Sequence, residues 1–249
     1  MRSLIALPLI LTACATDGLI DELAGETDDA AVDGKADATP GGTYTYFAIR
    51  SDARLCPSPT CGGFFVTRIN RSTTECHDGS VADACYTPEL DWAEAGLSEA
   101  TRAQLVDAAR ASTDATNVTA LVRGRFAPAT KGDLGRFIVT EAWVNPSGAK
   151  ASGVFAKVTT TPVVCIASPC ENLMERGLNS SNHAMIADVD WSTAQLAPES
   201  IDACRSGMTQ PSGLIVAGER YQVEDNGRTA RGRTASAVFL RLVDAAAGN

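Results

Sequence analysis

Two stretches of this 249-residue chain read as copies of each other. Set over one another, CPSPTCGGFFVTRIN (56–70) and CIASPCENLMERGLN (165–179) align Cys56 with Cys165, Cys61 with Cys170 and Asn70 with Asn179, all at an offset of 109. Further on, YTPELDW (86–92) and MIADVDW (185–191) align Asp91-Trp92 with Asp190-Trp191 at an offset of 99. ALVRGRF (120–126) resembles LIVAGER (214–220), with Gly124 over Gly218. The blocks keep their order. The chain is therefore expected to be one fold used twice. Repeat 1 covers 43–146 and repeat 2 covers 147–249, with PSGAKASG (146–153) at their boundary.

Each copy has the same pattern of elements. YTYFAIRSD (44–52), GGFFVTRIN (62–70) and ACYTPELDW (84–92) are rich in aromatic and β-branched residues and predict strands. SEATRAQLVDAARAS (98–112) has helical spacing, with Ser98 as N-cap and Thr101 where a capping box would carry an acid. ALVRGRF and GRFIVTEAWV (135–144) predict two more strands. In repeat 2 the helix is PESIDACRS (198–206), and Pro198 suits a first turn. The fold class is mainly β (α+β), two tandem βββ-α-ββ repeats. That is the element order of an OB-like barrel. The alternative is an open antiparallel sheet packed by one helix in each half.

The change of offset from 109 to 99 means that repeat 2 lacks ten residues found in repeat 1. CHDGSVADAC (76–85) is ten residues long. The simplest alignment removes both cysteines together, which pairs Cys76 with Cys85. The same reasoning pairs Cys56 with Cys61 and Cys165 with Cys170. Cys204 has no counterpart and is the candidate unpaired thiol, read as a small buried residue on a helix. A zinc site at Cys76, His77 and Cys85 is disfavoured by the spacing and by the missing fourth ligand. His77 and Asp78 then read as solvated loop residues. HDGSVAD and DNGR lack the acidic spacing of a calcium loop.

At the N-terminus, MRSLIALPLILTAC carries one charge and a short apolar run. The run is too short for a spanning helix, which needs about 20 residues, and reads as a signal peptide over 1–13. Leu11-Thr12-Ala13-Cys14 resembles the lipobox of bacterial lipoproteins. The resemblance implies cleavage before Cys14 and acylation of its thiol, and Ala15 at the next position implies the outer membrane. Residues 15–42 hold eight acids and one lysine, a charge of −7 within the total of −9. Such a composition predicts a disordered tether. The acidic stretch with DGKAD ahead of a folded part resembles secreted lipoproteins of myxobacteria that carry an uncharacterised duplicated domain. The expected localisation is the cell envelope, and the expected contact is a membrane reached through the lipid anchor.

Motifs for chemistry are scarce. HExxH, GxSxG and Walker A patterns are absent, and the SxxK at 147–150 lacks its companions. No catalytic residue, metal or cofactor is assigned, and an enzyme could only be centred on an unfamiliar site such as His183. Trp92 and Trp191 are read as core residues, with a matched binding role as the sharper alternative. Arg228, Arg231 and Arg233, followed by Arg241, are candidate contacts for an anionic ligand. Arg123, Arg125, Lys131 and Arg136 are their counterparts in repeat 1. The expected function is a surface-tethered, non-catalytic module that binds a protein or an anionic envelope glycan. An inhibitor of secreted proteases is the alternative, and nucleic acid is not expected for a net-acidic exported chain.

Overall fold

A computed structural model describes residues 44–112, 116–127 and 134–244. Repeat 1 runs β1 (Thr45–Ser51), β2 (Phe64–Arg68), β3 (Thr74–Glu75), β4 (Val81–Ala82), β5 (Cys85–Thr87), β6 (Leu90–Asp91), α1 (Glu99–Ala111), β7 (Ala120–Phe126) and β8 (Phe137–Val144). Repeat 2 runs β9 (Val154–Thr160), β10 (Leu173–Gly177), β11 (His183–Ile186), β12 (Asp188–Asp190), α2 (Pro198–Thr209), β13 (Leu214–Asp225) and β14 (Arg228–Arg241).

The duplication extends to register. Ile49 faces Val66 in repeat 1 and Val158 faces Glu175 in repeat 2. Val66 then faces Cys85, as Glu175 faces Ala184. The hairpins β7–β8 and β13–β14 shift register at Gly124 and Gly218. At both glycines a β-carbon would strike the backbone of the partner strand, so only glycine lets the strands close up there. Cys85 therefore keeps a counterpart, Ala184. The extra ten residues of repeat 1 lie between Asn70 and Cys85, where they fold as the β3–β4 hairpin. The expectation that both cysteines belong to the insertion is corrected on this point.

Each half is a curled antiparallel sheet packed by one helix. In repeat 1 the strands lie in the order β5-β2-β1-β7-β8, and in repeat 2 in the order β11-β10-β9-β13-β14. The chain bends after β5 at Pro88-Glu89, and β6 then pairs with β8 in parallel. β12 pairs with β14 in the same way. One bent segment thus touches both edges of each sheet, but only over a few residues. A closed OB-like barrel does not form, because the bend interrupts the ladder. The mainly β, α+β class stands. α1 buries Leu105 and Ala109 among Phe47, Val122 and Phe137. α2 buries Cys204 and Met208 among Val158, Val216 and Val238. Each large side chain sealed this way contributes about 2 kcal/mol.

A third core joins the halves. Leu121, Trp143, Phe155, Leu178, Ile215 and Phe239 form one cluster drawn from both repeats. β8 and β14 pair directly through Val144–Leu240 and Trp143–Arg241, so one sheet runs through the junction. Asn70 donates to the carbonyls of Phe155 (2.7 Å) and Leu178 (3.0 Å) and accepts from Phe155 N–H (3.0 Å). Asn179 answers in kind, donating to Tyr46 (2.7 Å) and Ile69 (2.9 Å) and accepting from Tyr46 N–H (2.8 Å). Both asparagines have left-handed backbone, φ 55° and 56°, which Asn tolerates better than most residues. The motif Asn70/Asn179 is thus a reciprocal clasp about a local twofold.

Candidate functional site

The predicted cysteine pairs are at bonding distance. Cα separations are 5.4 Å for Cys56–Cys61, 5.4 Å for Cys76–Cys85 and 5.7 Å for Cys165–Cys170. Cys204 is free and fully buried, and burial pushes its thiol up to about 11. It occupies the place that Leu105 fills in α1, which explains a cysteine with no partner. Cys14, Lys131 and the acidic segment lie outside the described residues.

His77 is not solvated as expected. Its ring lies 6.3 Å from that of Phe126 and against Gly135, where φ is 84° and no side chain would fit. Asp78 is exposed, and its carboxylate accepts from Ser80 N–H (3.0 Å) and Ser80 Oγ (2.6 Å). Those two donors hold it below the usual carboxylate range. Among the described residues no cluster of His, Cys, Asp and Glu is arranged to hold a metal ion.

Trp92 and Trp191 are half-buried at equivalent places, packed on the two internal cores. The aspartates before them turn the chain: Asp91 accepts from Ala93 N–H and Asp190 from Ser192 N–H. In both halves the Asp-Trp pair packs on the core and turns the chain.

The arginines of the last hairpin separate into different roles. Arg228 is exposed beside the turn at Asn226-Gly227, which β13 and β14 share. Arg231 pairs with Glu171. Arg233 is corrected as a contact residue, because it is 3 % exposed. Its Nε lies 2.5 Å from Glu175, and Nη1 donates to the carbonyls of Gly218 and Val154. Arg220 takes the second Glu175 oxygen at 2.5 Å. At the matching positions repeat 1 has Val66, Phe137 and Phe126, with the two rings edge to face at 5.2 Å. An ion cluster built on buried Glu175 and Arg233, with Arg220 at its exposed edge, thus replaces an apolar set in the other copy.

A strongly charged concavity lies at the junction of the halves. It is a cleft of about 750 Å³ whose lining includes Arg68, Arg71, Arg123, Lys157, Arg176 and Arg241, with Glu141 the one carboxylate among the described lining residues. Arg123 binds that carboxylate at 3.0 Å, and Arg241 lies 3.9 Å from it. Lys157 and Arg176 make no ion pair among the described residues. Arg71 donates to the Asn179 carbonyl at 2.6 Å, so the clasp also seats a cation. Tyr46 packs on buried Trp143 at 5.4 Å between centroids. Burial raises the Tyr46 phenol, Glu141 adds to the rise, and Arg123 and Arg241 oppose it.

Low-dielectric walls focus the field of such a cluster, and guanidinium forks match carboxylate, phosphate and sulfate. The cleft can hold a polyanion. Sequence reasoning named Arg123 and Arg241 but missed Arg68, Arg71, Lys157 and Arg176. Their signal lay in the differences between copies: Arg68 stands over Gly177, Arg71 over Ser180, Lys157 over Ala48 and Arg176 over Thr67.

A family model described as a domain of unknown function, DUF6748, matches residues 45–245. No curated protein and no solved structure matches the chain.

Proposed function

Because the chain belongs to the DUF6748 family, whose description assigns no activity, we propose a function from the geometry alone: a non-catalytic, lipid-tethered module that binds an anionic envelope glycan in the cleft between its repeats. The observation that carries this reading is that, among the described residues, six cationic side chains and one carboxylate line a single concavity. The domain as a whole is not basic, so the positive charge is local and faces one site. The lipobox at Leu11–Cys14 supplies the anchor, and the tether sets the folded part off the outer membrane. Among the described residues no helix is long and apolar enough to cross a membrane.

The test uses the full chain carrying Cys14→Ser and a heparin-derived oligosaccharide as a defined polyanion, with a neutral oligosaccharide as control. Binding is expected for the polyanion alone, weakening steeply as salt shortens the Debye length from about 14 Å to about 8 Å. Equal binding of the neutral sugar, or none of either, would sink the reading.

A second reading has its own observation. The stapled loops at Cys56–Cys61 and Cys165–Cys170 present bare apolar side chains, Leu55 at 103 % exposure and Ile166 at 104 %. In repeat 1 the loop is braced from behind. Arg54 pairs with Asp52, holding that carboxyl below its usual range, and Tyr86 donates to the Pro59 carbonyl. A rigid loop with a protruding apolar residue is what a protease inhibitor offers to a specificity pocket. Inhibition of a secreted protease that is lost in Ile166→Asp would favour it over the glycan reading.

A further inference from the structure

Lys157 and Arg176 stand directly opposite each other in the β9–β10 ladder, and both line the cleft. Like charges opposed in this way repel and weaken the pairing of their strands. Neither makes an ion pair among the described residues, and Glu141, the carboxylate among the described lining residues, is taken by Arg123 at 3.0 Å. The row continues on β11, where His183 stands opposite Arg176. The duplicated scaffold does not require these charges. In repeat 1 the matching rung is Ala48 opposite Thr67. The same strand pair is thus built without charge in one copy and with two opposed cations in the other. Gly213, with φ 67°, makes room for the Lys157 stem, since a β-carbon there would come within 2.9 Å of Lys157 Cγ.

We propose that this rung is the seat of a phosphate monoester, so that the glycan held in the cleft is a phosphorylated one. A phosphate monoester carries close to two negative charges at neutral pH, its second pKa being about 6. One such group neutralises both cations and accepts hydrogen bonds from both. A carboxylate or a sulfate ester carries a single charge and leaves one cation opposed. Arg176 offers a planar fork of donors and Lys157 a compact ammonium, and both suit phosphate oxygens. The ligand also relieves the repulsion across the rung, which adds to its binding.

We rest this on the cleft being an anion site, and the choice of probes separates the two readings. The full chain with Cys14→Ser is titrated at about pH 8, where the monoester is dianionic. The probes are glucose 6-phosphate, glucose 6-sulfate, inorganic phosphate and the heparin-derived oligosaccharide. Glucose 6-phosphate is expected to bind about tenfold more tightly than glucose 6-sulfate, the worth of one further charge-assisted contact. Lys157→Gln and Arg176→Gln should each abolish that preference, whereas Arg123→Gln should weaken both sugar esters alike. Without ligand, each rung variant should melt about 1–3 °C above the parent, because the repulsion is gone; the same melt shows that it folds. Equal affinity for the two sugar esters overturns the phosphate seat even if the oligosaccharide binds. A phosphate preference without oligosaccharide binding keeps the seat and overturns the polyanion reading of the cleft. Inorganic phosphate binding as tightly as glucose 6-phosphate makes the free ion the ligand and overturns the phosphorylated glycan.

Discussion

At the residue scale, the two copies differ most where one buries charge and the other buries rings. Glu175, 1 % exposed, is satisfied only while Arg220 and Arg233 face it. Removing one member of a buried ionic group strands the rest, so Glu175→Val is expected to cost about 3–5 kcal/mol in chemical denaturation. Installing the repeat 1 set together, Glu175→Val with Arg220→Phe and Arg233→Phe, should return stability to within about 1 kcal/mol of the parent or above it. A triple variant as unstable as the single one would contradict this. The arginines were legible as a cluster, but their burial was not. Nothing in RTARGR says that Arg233 points to a glutamate three strands away, since pairing across a sheet depends on register and not on local composition. Cys204 was legible because it has no counterpart in repeat 1 and falls within the predicted helix 198–206.

At the element scale, the helix α1 shows how a missing local signal is supplied from afar. Ser98 caps the helix, yet the acid of a capping box is absent at Thr101. Asp244 takes that role from the other end of the chain, accepting from Ser98 N–H at 2.9 Å and Thr101 Oγ1 at 2.6 Å. Those donors hold the Asp244 carboxyl below its ordinary 3.8. A depressed folded value means that the contribution to stability is present above the unfolded value and is lost as pH falls through the folded one. Asp244→Asn should therefore lower the melting temperature at pH 7, and the gap to the parent should close as pH falls below the ordinary 3.8 and through the depressed folded value. A gap that stays constant down to acid pH would refute the assignment. The strands themselves followed from the pattern of apolar residues, and the helices came within a few residues. The short β3–β4 hairpin and the Asn226-Gly227 turn were not anticipated, although Asn-Gly is a strong hairpin signal.

At the scale of the whole molecule, the duplication was readable, while the way the copies lock together was not. Matched blocks reveal a repeat, but Asn70 and Asn179 could not announce that each bonds the other copy's backbone. That exchange couples the halves. Asn70→Ala removes three bonds across the junction and leaves alanine at a positive φ, a loss of about 3 kcal/mol. Unfolding of the parent is expected to be a single transition, with Asn70→Ala plus Asn179→Ala either splitting it or moving it down by roughly 10–20 °C. A double variant that melts like the parent would show that the clasp carries no weight. The same junction builds the cleft from both copies, and this is the claim on which the functional account depends. The direct measurement is the affinity of the full chain for a heparin-derived oligosaccharide after charge reversal in repeat 1 (Arg123→Glu), in repeat 2 (Lys157→Glu with Arg176→Glu) and on the hairpin outside the cleft (Arg228→Glu). The account predicts a loss of at least about tenfold for reversal in either repeat, as expected for charges that share one field, and little change for Arg228→Glu. Loss of binding with Arg228→Glu alone, and none with the cleft variants, would contradict it.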